Sequence, residues 1–178
     1  MQILRRGAGG VSQRLRPQCR SQRNVRLISR GSVVAPTARM KEPSAARKRT
    51  LALHERALRF SDNINRSYPT QKMPYPSEVV WNQLVRAADG TSSNLIEADN
   101  GSSDADFLNK MRTALREAKE SKACLAKIRR GPLMEASRVI ELDLENEADQ
   151  LAAIYATIII NVERRLAKSE TRRRRTGA

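Results

Sequence analysis

Between Phe107 and Ile128, apolar or small residues return at alternating intervals of four and three: Phe107, Met111, Ala114, Ala118, Ser121, Leu125 and Ile128. That alternation puts one line of side chains on a single helical face and predicts a helix of about six turns, covered along its length. Small residues at the centre of the line favour close approach of a neighbouring helix. Upstream, Val80, Leu84, Ala87, Thr91, Asn94 and Ala98 form a second stripe, widened by Trp81, Val85, Ala88 and Leu95. Between the two lies Asp99-Asn100-Gly101-Ser102, too short for anything but an antiparallel reversal. Ser103 is the expected cap of the second of these helices, with Asp106 completing a near capping box and Asp104 favouring the positive helix end.

Two more helices are expected. Leu51, His54, Leu58, Ser61, Ile64 and Tyr68 predict one from about Ala46 to Arg66, ended by Pro69. Ser77, directly after Pro76, is the expected N-cap of the helix that follows. Gly131-Pro132 stops the long heptad helix. Residues 133–144 read as a short helix or an irregular entry, before Leu144, Ala148, Leu151, Tyr155, Ile158 and Val162 define the last one. Ile154, Ile159 and Ile160 fall outside that stripe and suggest a second contact. Aromatics are only 3% of the chain, so the core must be aliphatic, which favours helices over a β-sandwich. The fold class expected is all-α: an up-down-up-down four-helix bundle with short connections over residues 46–168.

Charge divides the chain into three. Residues 1–50 carry 13 Lys/Arg against one acid, residues 51–167 carry 16 against 17, and residues 168–178 carry 5 against one. The net charge of +15 therefore belongs to the two ends, and the bundle is near neutral. Residues 1–45 lack apolar periodicity and read as a basic, disordered extension. The same composition fits an organellar transit segment over residues 1–39, a start at Met40, or a sequence-independent nucleic-acid arm. Residues 169–178, with Arg172, Arg173, Arg174 and Arg175, read as a basic unfolded tail. The location expected is cytoplasmic, with organellar import as the alternative.

Chemistry has little raw material. Cys19 and Cys124 make no disulfide or metal spacing, and His54, the only histidine, reads as a packed interfacial residue. No catalytic residue, metal or cofactor is expected. The run Leu151–Ile160 is half the roughly 20 residues a membrane helix needs, so no membrane association is expected. Asn94 and Glu97, three apart, read as buried polar contacts within the bundle. Gly90 costs its helix about 1 kcal/mol relative to Ala, and with Ala87, Ala88, Thr91 and Ser92 makes a flat patch for a neighbour. Opposite the heptad seam stand Arg112, Arg116, Lys119, Lys127 and Arg130. They read either as a solvated face or as a stripe contacting phosphates, with Glu117 and Glu120 on its flank.

The stretches PSEVVWNQLVRAADGTSSNLIEADN, DFLNKMRTALREAKES and ENEADQLAAIYATIIINVERR resemble the four-helix bundle proteins named for the intervening sequences of bacterial 23S ribosomal RNA genes. The resemblance covers about Leu51–Arg165. Asn94, Glu97, Ala98, Asp106-Phe107 and Glu117-Ala118-Lys119-Glu120 are its more specific positions, Asp89-Gly90 depart from it, and residues 1–45 have no counterpart. It implies a homopentamer of up-down-up-down bundles. It also implies kinship with accessory proteins of diversity-generating retroelements, which bind a reverse transcriptase and nucleic acid. It supplies no catalytic residues. The function expected is thus a non-enzymatic, oligomeric nucleic-acid-associated protein, with RNA favoured. The alternative is a scaffold or accessory subunit docking a partner protein.

Overall fold

The computed structural model describes residues 42–131 and 137–176, and among these the regular structure is entirely helical. In chain order the elements are α1 (Ala45–Ser67), α2 (Tyr75–Asp99), α3 (Asp104–Arg130), the short α4 (Ser137–Glu141) and α5 (Leu144–Thr176). Of the extension expected over residues 1–45, residues 1–41 lie outside the described residues, as does Cys19, while its end is ordered: Ser44 caps α1 by accepting from Arg47 N at 3.2 Å, and Ala45 begins the helix.

Cross-helix bonds set the directions. Tyr68 Oη donates to Asn82 Oδ1 at 2.9 Å near one end of α1 and α2, and Arg47 pairs with Asp99 near the other. Gln83 Nε2 donates to Glu120 Oε1 at 2.6 Å and Lys110 reaches Glu97 at 2.6 Å, so α2 and α3 are antiparallel. Arg112–Glu163 at 2.6 Å, Lys122–Asp149 at 2.7 Å and Arg129–Glu145 at 2.7 Å run α5 antiparallel to α3. The α2–α3 pair packs most extensively, with Glu117 of α3 lying over Gly90 of α2, and the small residues Ala87, Ala88 and Thr91 of α2 and Ala114, Ala118 and Ser121 of α3 are all buried. Small side chains there let the axes approach, as the heptad line predicts. Helix α1 lies chiefly on α2. Its tie to α5 is polar: Arg56 donates from Nε to Glu147 Oε1 at 2.6 Å and from Nη2 to Glu147 Oε2 at 2.8 Å and Gln150 Oε1 at 2.6 Å.

The core holds Phe60, Ile64, Trp81, Leu84, Met111, Leu125, Ile128, Leu144, Leu151 and Tyr155, all essentially inaccessible. Trp81 and Tyr68 meet edge to face with centroids 5.9 Å apart, a preferred aromatic geometry. His54 is half-buried, as expected of an interfacial residue, with Nε2 3.8 Å from Asp99.

Several boundaries and faces differ from the sequence expectation. Helix α2 starts at Tyr75, not after Ser77. Pro76 sits in its first turn, where a missing N–H costs nothing, and Pro74 O accepts from Ser77 N at 2.9 Å. On α1 the buried face is Ala57, Phe60, Ser61, Ile64 and Ser67, turned roughly 70° from the Leu51–Leu58 line. Phe60 has the most area to bury and Ala57 permits close approach, so Leu51 and Leu58 stay about two-fifths exposed. On α5, Ile159 is buried, Ile154 and Ile158 are half-buried, and Ile160 alone of the surplus isoleucines is exposed. Helix α5 also continues to Thr176, beyond the expected boundary at residue 168. Arginine is a good helix former, and cations in a last turn complement the negative helix end, so Arg172–Arg175 extend the helix.

Candidate nucleic-acid interface

Helix α3 is specified at both ends. Ser103, with extended backbone, accepts from Asp106 N at 3.1 Å. Asp104 and Asp106 stand in the first turn and Lys127, Arg129 and Arg130 in the last, the arrangement the helix dipole favours. Gly101 closes the preceding reversal in a space where a side chain would meet Ala98 O at 3.0 Å. Met111, Ala114, Ala118, Ser121, Leu125 and Ile128 are buried, joined by Leu108 and Cys124, which fixes the rotation of the helix. Burial holds the Cys124 thiol protonated by raising its pKa, so it behaves as a small apolar residue.

With that rotation set, Arg112, Arg116, Lys119, Lys127 and Arg130 are all exposed. They form a crest along about 27 Å of helix. The structure divides the cations of α3 in a way the sequence does not. Lys110, Lys122 and Arg129 lie on the flanks, where α2 and α5 present Glu97, Asp149 and Glu145. The hydrogen bond from Arg129 holds the Glu145 carboxyl below the usual carboxylate range and raises Arg129 in return. Arg112 is on the crest but reaches Glu163 at 2.6 Å. Arg116, Lys119, Lys127 and Arg130 form no ion pair with any described residue.

The two acids of α3 that flank the crest are turned toward α2. Glu120 accepts from Gln83 Nε2 on α2. The Glu117 side chain lies over Gly90, where a Cβ would stand 2.9 Å from Glu117 Cγ. Gly90 thus provides the space into which an acid is withdrawn from the basic face.

The expected polar pair separates. Asn94 is half-buried and donates to Gly90 O at 2.8 Å within its own helix. Glu97 is not buried: it is exposed and ion-paired with Lys110. A three-residue step turns the helix by 300°, which here carries Glu97 out of the interface toward the α3 flank. Arg172, Arg173, Arg174 and Arg175 are exposed on the last turns of α5. Because Arg165 pairs with Asp104 and Arg129 with Glu145, the arginines and the Arg130 end of the crest lie at opposite ends of α5, about 40 Å apart along it. The Arg112 end of the crest, paired with Glu163, is the end nearer these arginines, about 14 Å along α5 from Arg172.

Elsewhere, a cleft of about 300 Å³ between α3, α4 and α5 is floored by Leu125, Val139 and Ile140. Its cations, Lys122 and Arg129, are those already paired with Asp149 and Glu145. Among the described residues no three His, Cys, Asp or Glu side chains gather as a metal site, and no helix is long and apolar enough to cross a membrane.

The comparisons bear on the fold. A protein of unknown function from the S23 ribosomal protein family of Bacteroides thetaiotaomicron has a solved structure that superposes with a TM-score of 0.53 at 24% identity, covering 62% of this chain and 96% of that one. The two share an all-α helical fold. No family model matches the chain, and no curated protein sequence does.

Proposed function

We propose that this chain is a non-enzymatic, oligomeric protein that binds RNA electrostatically through the crest of α3, and that it is a distant member of the family named for the 23S rRNA intervening sequences. In this reading α1, α2, α3 and α5 make an up-down-up-down bundle, α4 belongs to the last connection, copies assemble as the pentamer the resemblance implies, and the protein is cytoplasmic. The observation that carries the reading is the set of four crest cations that form no ion pair with any described residue while their flanking neighbours are neutralised. A bundle with no net positive charge still presents a phosphate-binding line where its acids are turned away. Repetition around an oligomer multiplies weak contacts. The Arg172–Arg175 end of α5 adds further positive charge beyond the Arg112 end of the crest.

The test is the full chain with Arg116, Lys119, Lys127 and Arg130 all changed to Gln, titrated against a structured RNA at several salt concentrations. Affinity falls at least tenfold, and the slope of log K against log salt becomes shallower by about 3, close to the counterions four contacts release. Unchanged affinity and slope sink the crest reading.

A second reading, docking of a partner protein, draws on Leu51 and Leu58, which lie seven residues apart on α1 and are two-fifths exposed. Purification of the native complex with and without nuclease separates the two. Salt-removable nucleic acid favours the first, and a stoichiometric protein retained after nuclease favours the second.

A further inference from the structure

The crest is not evenly charged. Arg116 and Lys119 stand together, Lys127 and Arg130 stand together, and seven residues lie between Lys119 and Lys127. Along a helix the centres of the two pairs are about 16 Å apart. Between them the crest is lowered to Ala123, which is exposed, and Ala126, half-buried. With Lys127, Arg130 and Gly131 they line a shallow depression. The two acids of α3 on the flank of the crest, Glu117 and Glu120, lie toward α2, over Gly90 and against Gln83.

We propose that the crest is shaped for duplex RNA, lying across the minor groove with Arg116 and Lys119 on the phosphates of one strand, Lys127 and Arg130 on those of the other, and Ala123 over the groove between. The proposal rests on the reading of the crest as a nucleic-acid surface and specifies its ligand. A straight ridge with cations at both ends and a low, uncharged middle requires two phosphate rows separated by a shallow trough.

The A-form minor groove is wide and shallow and displays 2′-hydroxyls, so a helix rests on it rather than entering it. The small side chains of the saddle let the helix backbone approach that surface. B-form DNA fits poorly on both sides. Its minor groove, about 6 Å wide, is narrower than a helix of about 10–12 Å diameter. Its major groove, about 8.5 Å deep, rewards a helix whose central side chains hydrogen-bond the base edges, and alanine has no donor or acceptor to place there. Single strands are bound by stacking bases on aromatic side chains, and the crest from Arg112 to Arg130 contains no aromatic residue.

The experiment uses the full chain and three probes: a 20-base-pair RNA duplex, a DNA duplex of the same sequence, and an RNA strand unable to fold. Two variants accompany the wild type: the fourfold Gln variant and Ala123→Gln, which fills the saddle without changing charge. Far-UV circular dichroism checks that both remain helical. The wild type is expected to bind the RNA duplex at least tenfold tighter than the DNA duplex. Ala123→Gln is expected to lose at least fivefold on the RNA duplex while single-strand affinity stays within twofold. Unchanged duplex affinity in Ala123→Gln, or a wild type that does not distinguish the duplexes, overturns the proposal. If the fourfold variant loses affinity equally for all three probes, the crest is a general phosphate ridge: the duplex assignment falls and the broader reading stands. If it loses affinity for none, both fall.

Discussion

Gly90 and Tyr155 show how single positions in this protein do more than fill space. Gly90 sits in the interior of α2, where its conformational freedom costs helix stability, yet the site admits the Glu117 side chain. Replacing Gly90 by Ala gains helix propensity but forces Glu117 Cγ aside. The double variant Gly90→Ala/Glu117→Ala removes the conflict and should raise the unfolding free energy by about 1 kcal/mol, with Gly90→Ala alone gaining less, as read by urea denaturation. Tyr155 is fully buried, and its hydroxyl lies 3.4 Å from Thr91 O, a long hydrogen bond. Burial is the main cause that raises its pKa, with nearby Arg56 opposing and Glu147 adding to the shift. The folded protein therefore keeps the phenol neutral where the unfolded chain would ionise it. That contribution to stability is complete below the ordinary phenol value near pH 10 and is lost as pH rises beyond it. Tyr155→Phe should cost about 1 kcal/mol or less at neutral pH. It should also flatten the fall of the thermal midpoint above about pH 10, which a melting series at alkaline pH would measure.

At the scale of elements, the close pairing of α2 with α3 rests on small residues that the heptad line already marked. Ala118 is wholly buried there, so Ala118→Leu should overpack the interface and destabilise by about 1–3 kcal/mol, measured by chemical denaturation. The contrast with α1 is instructive. Its tie to α5 is the forked Arg56–Glu147 pair, both side chains about one-third exposed or less. Arg56→Met should cost about 1 kcal/mol, since such a pair is only partly screened and its carboxylate would lose two charge-assisted bonds. Element identities were legible because periodicity, caps and the Gly131-Pro132 stop are local signals. Helix rotation was less so. The Leu51–Leu58 line on α1 is a valid apolar line, but Phe60 and Ala57 compete for the same interface, and only contact with α2 decides between them. Glu97 misled for a related reason: three residues from Asn94 is near in sequence, yet a 60° difference on the wheel separates an interface from a flank.

For the molecule as a whole, charge placement matters more than charge total. The basic ends dominate the formal +15, yet the bundle over residues 51–167 is near neutral, and much of its basicity is consumed in seams between helices. The crest stands out only after those seams are known. Arg112, Arg116, Lys119, Lys127 and Arg130 were identifiable from their spacing alone. That Arg112 is neutralised by Glu163, 51 residues away, was not. The Arg172–Arg175 end was legible as basic but not as helical, because a run of arginines looks the same to composition whether free or continuing a helix.

The division follows from the range of the forces. Helix period, capping residues and chain reversal act over a few residues, so the sequence by itself determined that this protein is all-α, where α3 begins and ends, and which side of α3 is basic. Which cations on that side remain available depends on acids brought up from α2 and α5, and no local pattern encodes those distances. The tertiary structure alone decided that Glu117 lies over Gly90, that Glu145 and Asp149 neutralise the α5 flank and Glu163 the Arg112 end of the crest, and that four cations on either side of Ala123 form no ion pair with a described residue.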